Sequence, residues 1–184
     1  LAIGLAASIL LFLYIRYEMS YDKFHQGYEQ VYRIVSHVDQ PEGKTMIVPR
    51  TLAPVAGAMK REVPEVMEAV RLYQRQVTLR DTNDNMYPDM ELMFTDSSFF
   101  DVFSFGVYRG DAVSALKTPG EVLITRSLAN RYFGSEDPIN KEIRRNTQRY
   151  TVGAVLEDIP ANSHFDFDML TSFYSMQYPE RFLE

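Results

Sequence analysis

The sequence predicts a mixed α+β domain, in which short helices pack against a largely antiparallel sheet, preceded by an N-terminal transmembrane helix. Three observations support this prediction. The chain opens with fifteen uncharged residues, Leu1 to Ile15. Beyond residue 25, short runs of alternating apolar and polar residues follow one another, which is typical of strands. Polar turns join several of these runs, which is typical of antiparallel hairpins.

The opening run is too short to cross a bilayer alone. As a helix, Leu1–Ile15 would measure about 22 Å, whereas the hydrocarbon core is about 30 Å thick. We therefore expect the chain to be part of a longer protein whose preceding residues complete the span. Arg16 and Tyr17 suit a membrane interface, and Gly4 and Ser8 form a small-residue stripe for a second helix. A buried helix of a soluble domain is the alternative.

The next elements are a strand, a turn and a helix. Alternating apolar residues predict a strand over Val31–Asp39 and a turn at Pro41–Gly43. A helix follows, with Thr51 as its N-cap and Pro54 in its first turn. Pro64 ends this helix.

A hairpin is predicted after this helix. Its first strand covers residues 66–80, a polar turn covers residues 81–85, and its second strand covers residues 90–96. The apolar residues of the first strand change parity along the chain. We therefore expect a bulge or break between Tyr73 and Gln76.

An aromatic helix and a strand–helix pair follow. Asp96 and Ser97 are placed to cap a short helix over residues 97–105. Its four phenylalanines are too many to leave exposed and should fill the core. They are Phe99, Phe100, Phe103 and Phe105. Val122–Thr125 then reads as a strand, followed by a helix that Gly134 ends in the left-handed conformation.

The last predicted elements are a hairpin over residues 141–159 and an alternating strand over residues 164–173. Three residues of the hairpin's return strand should share one face. They are Tyr150, Val152 and Ala154.

Composition and motifs exclude several functions. The net charge is −6, so a nucleic-acid partner is not expected, and the basic run Arg144–Arg149 reads as a solvated hairpin tip. The chain has no cysteine, which excludes disulfides and thiolate chemistry. It also lacks the glycine-rich phosphate loops and the GxSxG elbow of serine hydrolases.

One constellation is compatible with a metal site. If residues 164–173 form a strand, the side chains of His164, Asp166 and Asp168 project from one face. The plainer interpretation is that Phe165 and Phe167 face the core while these polar residues face water. We favour the second interpretation.

No other cluster indicates chemistry. The run Asp81–Asn85 resembles the start of a calcium loop, but Met86 and Leu92 occupy the positions that need glycine and glutamate. His25 and His37 stand alone in the sequence. The sequence therefore predicts a non-enzymatic chain without catalytic, cofactor-binding or metal-ligating residues.

The order of several motifs is specific. Four runs occur in this sequence in the following order: RYEMSYDKFHQGYEQVYRIV, TLAPVAGAMKREVPEV, DSSFFDVFSFGVYRGDAVSALKTPGEVLITRSLANRYFGSEDPINKEI and YTVGAVLEDIPANSHFDFDMLTSF. Together they resemble the MacB-like periplasmic core domain of ABC transporter permeases in the FtsX-like superfamily, especially those of Bacteroidetes-type bacteria. One departure is Asn140, where relatives usually have glycine; asparagine tolerates the left-handed backbone that this turn needs.

The resemblance implies a domain division and a location. Residues 1–25 would be the end of the first transmembrane helix and its periplasmic extension. Residues 26–184 would be the periplasmic core domain, which we expect to be incomplete at its C-terminus. The protein would lie in the bacterial inner membrane, contacting lipid through Leu1–Ile15, with residues after about 20 in the periplasm.

The resemblance also implies a mechanical function. A partner ABC ATPase would hydrolyse ATP in the cytoplasm. A dimer of two permease copies would couple this hydrolysis to the extracytoplasmic handling or export of a substrate, which would be a peptide, antibiotic, lipid or lipoprotein. A periplasmic adaptor is a further implied partner. We expect the first helix to continue through Tyr17 and Tyr21 toward Phe24 as a stiff rod, because no proline interrupts it.

Two other functional classes remain open from the sequence. An extracytoplasmic sensor would bind a small ligand and signal through the helix to a cytoplasmic module. An extracytoplasmic hydrolase would need a catalytic set that the sequence does not show.

Overall fold

The structure is a computed structural model that describes residues 1–41 and 43–176. These residues form five α-helices and nine β-strands. The helices are α1 (Ala2–Glu18), α2 (Pro54–Glu62), α3 (Phe99–Val102), α4 (Ala112–Lys117) and α5 (Arg126–Phe133). The strands are β1 (Ser36–Asp39), β2 (Thr45–Val48), β3 (Leu72–Arg80), β4 (Met86–Thr95), β5 (Val107–Gly110), β6 (Glu121–Thr125), β7 (Glu142–Arg145), β8 (Gln148–Leu156) and β9 (Met169–Ser172). Residues 177–184 of the predicted outer domain, and Glu42 of the predicted turn, lie outside the described residues.

The main sheet is largely antiparallel, so the predicted mixed α+β class is confirmed. Its strand order is β5-β8-β6-β9-β4-β3-β7, and only the pairs β4–β9 and β6–β8 are parallel within the described residues. The strand β7 also pairs with β8, so six strands close into a ring, with β5 added along the outer edge of β8. A single residue pair, Arg80 with Arg144, joins β3 to β7.

The closed sheet has an apolar cluster on each face. The inner cluster fills the ring and includes Leu92, Phe94 and Tyr150. The outer cluster lies between the sheet, α3 and α4, and includes Leu116 and Phe99. Burial of these side chains is the main source of stability in a domain of this size.

Several predicted elements of the second half are confirmed. The strand over Val122–Thr125 and the following helix are β6 and α5, and the hairpin over residues 141–159 is formed by β7 and β8. Gly134 ends α5 as predicted, but its φ of +63° is combined with a ψ of −123°, so it is not in the predicted left-handed helical conformation. Asn140 has a φ of +65°, so it adopts the left-handed backbone expected there.

The return strand of this hairpin differs from the prediction at Ala154. Tyr150 and Val152 belong to the inner cluster, whereas Ala154 belongs to the outer one. The cause is a register shift: Val122 pairs with Val152, but the next residue of β6 pairs with Ala154. Gly153 is therefore an extra residue, and one extra residue moves every following side chain to the other face.

The segment before α2 forms a small hairpin outside the main sheet. Within the predicted strand Val31–Asp39 only β1 is paired, and its partner β2 is not predicted by the sequence. The predicted turn joins the two strands, with a φ of +75° at Gly43 and a hydrogen bond of 2.9 Å from Gln40 N–H to Lys44 O.

The helix α2 begins later than predicted. Its N-cap is Ala53 and its first residue is Pro54, so the prediction of Thr51 as the cap is wrong. Proline sets φ at the helical value, which suits it to this first position. The helix ends at Glu62, before Pro64, as expected.

The predicted hairpin of β3 and β4 is present, but its irregularity lies elsewhere. The register is continuous from Leu72 to Val77, so the predicted break between Tyr73 and Gln76 is wrong. The register shift lies between Val77 and Leu79.

The aromatic helix is shorter than predicted and is not capped by Asp96 or Ser97. Ser98 precedes α3 without a side-chain cap. Asp96 instead binds Arg71, with 2.6 Å between Oδ1 and Nη2 and 2.8 Å between Oδ2 and the backbone nitrogen. The predicted role of the phenylalanines in the core is confirmed, because Phe99 is fully buried and the other three pack in the same cluster.

The first helix is present as predicted but does not continue as a rod. It ends at Glu18, and residues 19–24 form turns, so the predicted extension through Tyr21 toward Phe24 is wrong. Asp22 has a φ of +55°, which is incompatible with a continuing right-handed helix. Among the described residues, no helix has both the length and the apolar character required to cross a membrane.

Candidate functional site

Among the described residues, the helix α1 meets the rest of the molecule near its C-terminal end. None of its residues is buried, including its large apolar side chains. In its last turn the Tyr17 hydroxyl donates a hydrogen bond of 3.0 Å to Ala161 O. The residues that contact the end of α1 therefore form the candidate functional site of this chain.

Asn162 binds the chain directly after α1. Its Nδ2 donates to Ser20 O at 3.0 Å and lies 3.1 Å from Ser20 Oγ. Its own carbonyl accepts a hydrogen bond of 2.9 Å from Asp22 N–H. The hydroxyl of Ser20 in turn donates to Tyr17 O at 2.6 Å. These bonds occupy polar groups at the end of α1 and explain why the helix stops there.

Asp22 makes the second connection. Its Oδ1 accepts from His164 N–H at 2.9 Å and from the Ser163 hydroxyl at 3.1 Å. Its Oδ2 lies 2.6 Å from His164 Nδ1. Partial burial raises the pKa of Asp22, but the hydrogen bonds from His164 and Ser163 outweigh it, so the pKa lies below its ordinary value. Asp22 is therefore ionised at neutral pH, with the His164 ring at hydrogen-bond distance.

His25 anchors the same segment in the aromatic part of the outer cluster. The residue is buried, and its Nδ1 accepts a hydrogen bond of 3.0 Å from Ser104 N–H. Four phenylalanine rings lie with their centroids 4.0–5.8 Å from the imidazole centroid. They are Phe24, Phe103, Phe105 and Phe165. Because Nδ1 is the acceptor, the neutral ring carries its proton on Nε2, which has no partner among the described residues.

We call residues 19–25 and 160–165 together the junction. The chain leaves the junction through Phe167 and enters β9, which lies between β4 and β6 in the middle of the sheet. Asp168 fixes this entry: its N–H donates to Glu91 O, its carbonyl accepts from Thr125 N–H, and its carboxylate accepts from Glu91 N–H, all at 2.8–2.9 Å. The end of α1 is thus connected through a few hydrogen bonds to a central strand.

The structure separates the three residues of the possible metal set. Residues 164–168 are not a strand, so the prediction of a strand over 164–173 is wrong at its start. His164 binds Asp22, Asp168 binds the backbone of Glu91, and Asp166 contributes its carbonyl to Gln74 Nε2 at 2.7 Å. Within the described part of the chain, no three His, Asp or Glu side chains are grouped to hold a metal ion.

The other polar runs have local structural roles. Asp81 Oδ1 accepts from the N–H groups of Asn83 and Asn85 at 2.8 Å, which closes the turn between β3 and β4. The basic run Arg144–Arg149 forms the β7–β8 hairpin tip, as predicted, but the tip is not fully solvated, because Arg144 and Arg145 are half-buried. His37 lies exposed on β1. The junction residues Ser20 and Asn162 are not identified by the sequence patterns, because single polar residues in turns carry no periodic signal.

His25 predicts a pH dependence of stability. Burial lowers its pKa below the ordinary 6.5, and the charge of Asp22 opposes this only in part. As the pH falls through 6.5, His25 is therefore protonated in the unfolded chain before it is protonated in the folded chain. Protonation thus favours unfolding, and the free energy of unfolding that is present above pH 6.5 is progressively lost. Urea unfolding in mild detergent should show a lower free energy of unfolding at pH 5.5 than at pH 7.5.

The matched variants are His25→Gln and His37→Gln. We expect His25→Gln to flatten the difference between the two pH values, since glutamine does not titrate, while the exposed His37→Gln keeps it. An unchanged pH difference in His25→Gln would contradict this assignment.

Comparison with known proteins finds a family whose model matches nearly the whole chain. The model of the family described as MacB-like periplasmic core domain matches residues 1–183. Among curated proteins, none matches this chain.

Solved structures similar to this chain include the following three. A domain described as part of a permease protein from Porphyromonas gingivalis is 25% identical with a TM-score of 0.68, and the match covers 81% of this chain and 63% of that one. The periplasmic region of MacB from Actinobacillus actinomycetemcomitans is 15% identical with a TM-score of 0.54, covering 68% of this chain and 57% of that one. The extracellular domain of the noncanonic ABC-type transporter YknZ from Gram-positive bacteria is 20% identical with a TM-score of 0.55, covering 67% and 63%. The chain thus spans less than two thirds of each of these structures, and the last two comparisons bear on the fold alone.

Proposed function

Because the chain belongs to the MacB-like periplasmic core domain family, we propose that it is the periplasmic part of an ABC-type transporter permease that transmits motion from the membrane to an outer domain. In this proposal a partner ABC ATPase hydrolyses ATP in the cytoplasm. The movement reaches the periplasm through α1, and the outer domain handles a substrate without catalysing a reaction.

The observation that carries this proposal is the junction. The exposed, apolar α1 contacts the domain at its end, where Asn162 and Asp22 tie it to the loop that leads into β9. Such a connection suits the transfer of displacement better than the binding of a ligand, because Asn162 binds Ser20, and Asp22 binds Ser163 and His164, within the junction. The helix need not be a long rod, since the force passes through the junction directly after Glu18.

The proposal includes a location and partners. The apolar run Leu1–Ile15 lies in the inner membrane, with residues after about 20 in the periplasm and residues 26–184 as the core domain. A second permease copy packs beside α1, where Gly4 and Ser8 allow close approach; Ser8 Oγ already donates within the helix to Gly4 O at 2.9 Å. A periplasmic adaptor contacts the outer domain.

Replacement of Asn162 by alanine tests the transmission. The variant removes the amide that binds Ser20, so the connection between α1 and the loop is loosened while both apolar clusters stay intact. In the full-length permease, reconstituted with its ATPase in proteoliposomes, we expect substrate transport to fall several-fold while ATP hydrolysis continues.

The matched control is Asn83→Ala in the exposed β3–β4 turn, which should transport like the wild type. Urea unfolding of both variants shows whether the domain is still folded. Wild-type transport and ATP hydrolysis in Asn162→Ala would overturn the role of the junction.

A further inference from the structure

The ring of His25 holds the junction against the loop after α3, residues 103–106. The residue is 4% exposed, and its Nδ1 accepts a hydrogen bond of 3.0 Å from Ser104 N–H. The next residue strengthens this contact, because Gln26 N–H donates to Ser104 Oγ at 3.0 Å. The proposed transmission uses the bonds of Asn162 and Asp22 but not this buried, titratable ring.

The bond to Ser104 exists only while His25 is neutral. A ring nitrogen accepts a hydrogen bond only when it carries no proton, and in the protonated imidazole both nitrogens are donors. A second proton on Nδ1 would face the Ser104 N–H across the present 3.0 Å. Rotation of the ring does not restore an acceptor, since Nε2 also carries a proton. The protonated ring must therefore lose Ser104.

The pocket around the ring does not favour a cation. The elements packed against it contribute uncharged side chains, and Nε2 has no hydrogen-bond partner among the described residues. Burial lowers the pKa of His25, so the charged form is less favourable here than in water. The rings that surround it are those of Phe24, Phe103, Phe105 and Phe165.

Asp22 is the charged group that opposes this effect of burial. Its Oδ1 accepts from the Ser163 hydroxyl and from His164 N–H, and its Oδ2 lies 2.6 Å from His164 Nδ1. His164 is thus the titratable group that the loop over residues 160–165 brings to Asp22. A carboxylate that turned toward a protonated His25 would leave these partners. Protonation therefore breaks a contact of the junction whether the ring moves or Asp22 does.

We propose that protonation of His25 releases the junction from the loop after α3, so that acidity in the periplasm weakens the coupling of α1 to the outer domain. The regulatory role rests on the proposed transmission, whereas the release itself does not. Once the ring is released, its pKa returns to the ordinary 6.5. The released form should therefore gain up to about tenfold in population between pH 7.5 and pH 5.5.

Amide hydrogen exchange of the full-length permease in lipid nanodiscs tests the release at these two pH values. With rates corrected for the intrinsic effect of pH, we expect the Gln26 and Ser104 amides to lose up to about tenfold in protection at pH 5.5. The amides of β6 and β9 should stay protected. His25→Asn should abolish the loss, because its amide oxygen replaces Nδ1 as the acceptor but does not titrate.

The matched controls are His164→Gln, which changes the other histidine of the junction, and His37→Gln on the exposed strand β1. Both should keep the pH effect of the wild type. Unchanged protection in the wild type, or the same loss in His25→Asn, would overturn the proposal. Loss of the effect in His164→Gln would assign it to the pair with Asp22 instead, and equal losses in β6 and β9 would indicate global unfolding; either result also overturns it.

Transport tests the regulatory role. In proteoliposomes with the partner ATPase, we expect the substrate transported per ATP hydrolysed to fall several-fold from pH 7.5 to pH 5.5 in the wild type. In His25→Asn the two values should be nearly equal. A wild-type ratio that does not change with pH would overturn the regulation. Because the exchange measurement needs neither ATP nor substrate, it decides the release of the junction even if Asn162→Ala disproves the transmission.

Discussion

Replacing Phe99 with alanine is expected to lower the free energy of unfolding by about 3–5 kcal/mol. Phe99 is fully buried, and its ring lies 5.1–6.4 Å from those of five other phenylalanines. They are Phe100, Phe103, Phe105, Phe165 and Phe167. Because these rings come from α3, from the loop after it and from the segment before β9, the cavity left by alanine cannot close by a single local movement.

Urea unfolding followed by tyrosine fluorescence measures this effect. The control is Tyr174→Ala, since Tyr174 is 76% exposed and its loss should change stability by about 0.5 kcal/mol or less. A loss below about 1 kcal/mol in Phe99→Ala would show that the outer cluster is not the tightly packed core described above.

Replacing Gly110 with alanine is expected to lower the free energy of unfolding by about 2–5 kcal/mol, from backbone strain and overpacking together. Gly110 has a φ of +86°, which L-residues rarely adopt. A Cβ there would also lie 2.5 Å from Gly153 O and 2.8 Å from Ala154 Cα. These are backbone atoms of β8 and cannot rotate away, so β5 would have to separate from β8.

The matched control is Gly120→Ala, which isolates the strain from the clash. Gly120 has a similar φ of +84°, but a Cβ there would have no neighbour within 4 Å. We therefore expect Gly120→Ala to cost about 1–2 kcal/mol, less than Gly110→Ala in the same urea experiment. Equal losses in the two variants would show that the contact between β5 and β8 is looser than the structure indicates.

Local patterns in the sequence predict much of this fold. The β3–β4 and β7–β8 hairpins depend on alternation and turns within about 20 residues, and both are present. Gly134 and Asn140 likewise follow from backbone preferences of single residues. The predicted strand over 164–173 fails in its first five residues because its start is held by Asp22, a contact that spans 142 residues. Local alternation carries no information about such a distant partner.

The structure of the junction likewise depends on contacts between residues far apart in the sequence, which local patterns do not predict. The sequence shows an uninterrupted helix leaving the apolar run, but the helix stops at Glu18 because Asn162 binds the next turn across the fold. His25 appears isolated in the sequence, yet its hydrogen-bond donor Ser104 lies 79 residues away. The change of face at Ala154 depends on a bulge whose position is set by pairing with β6. Each of these features arises from tertiary contacts, whereas the motif order that identifies the family is readable from the chain.

The position of β9 has a mechanical consequence. A tension that enters this strand at Asp168 and runs along its axis loads the hydrogen bonds to β4 and β6 on both flanks at the same time, since these bonds lie across the strand. Bonds loaded together in shear resist far more force than bonds peeled apart one by one at an edge. If the end of α1 were instead connected to the edge strand β5, the same force would break the hydrogen bonds between β5 and β8 one after another. The edge strand would then separate before the sheet moved.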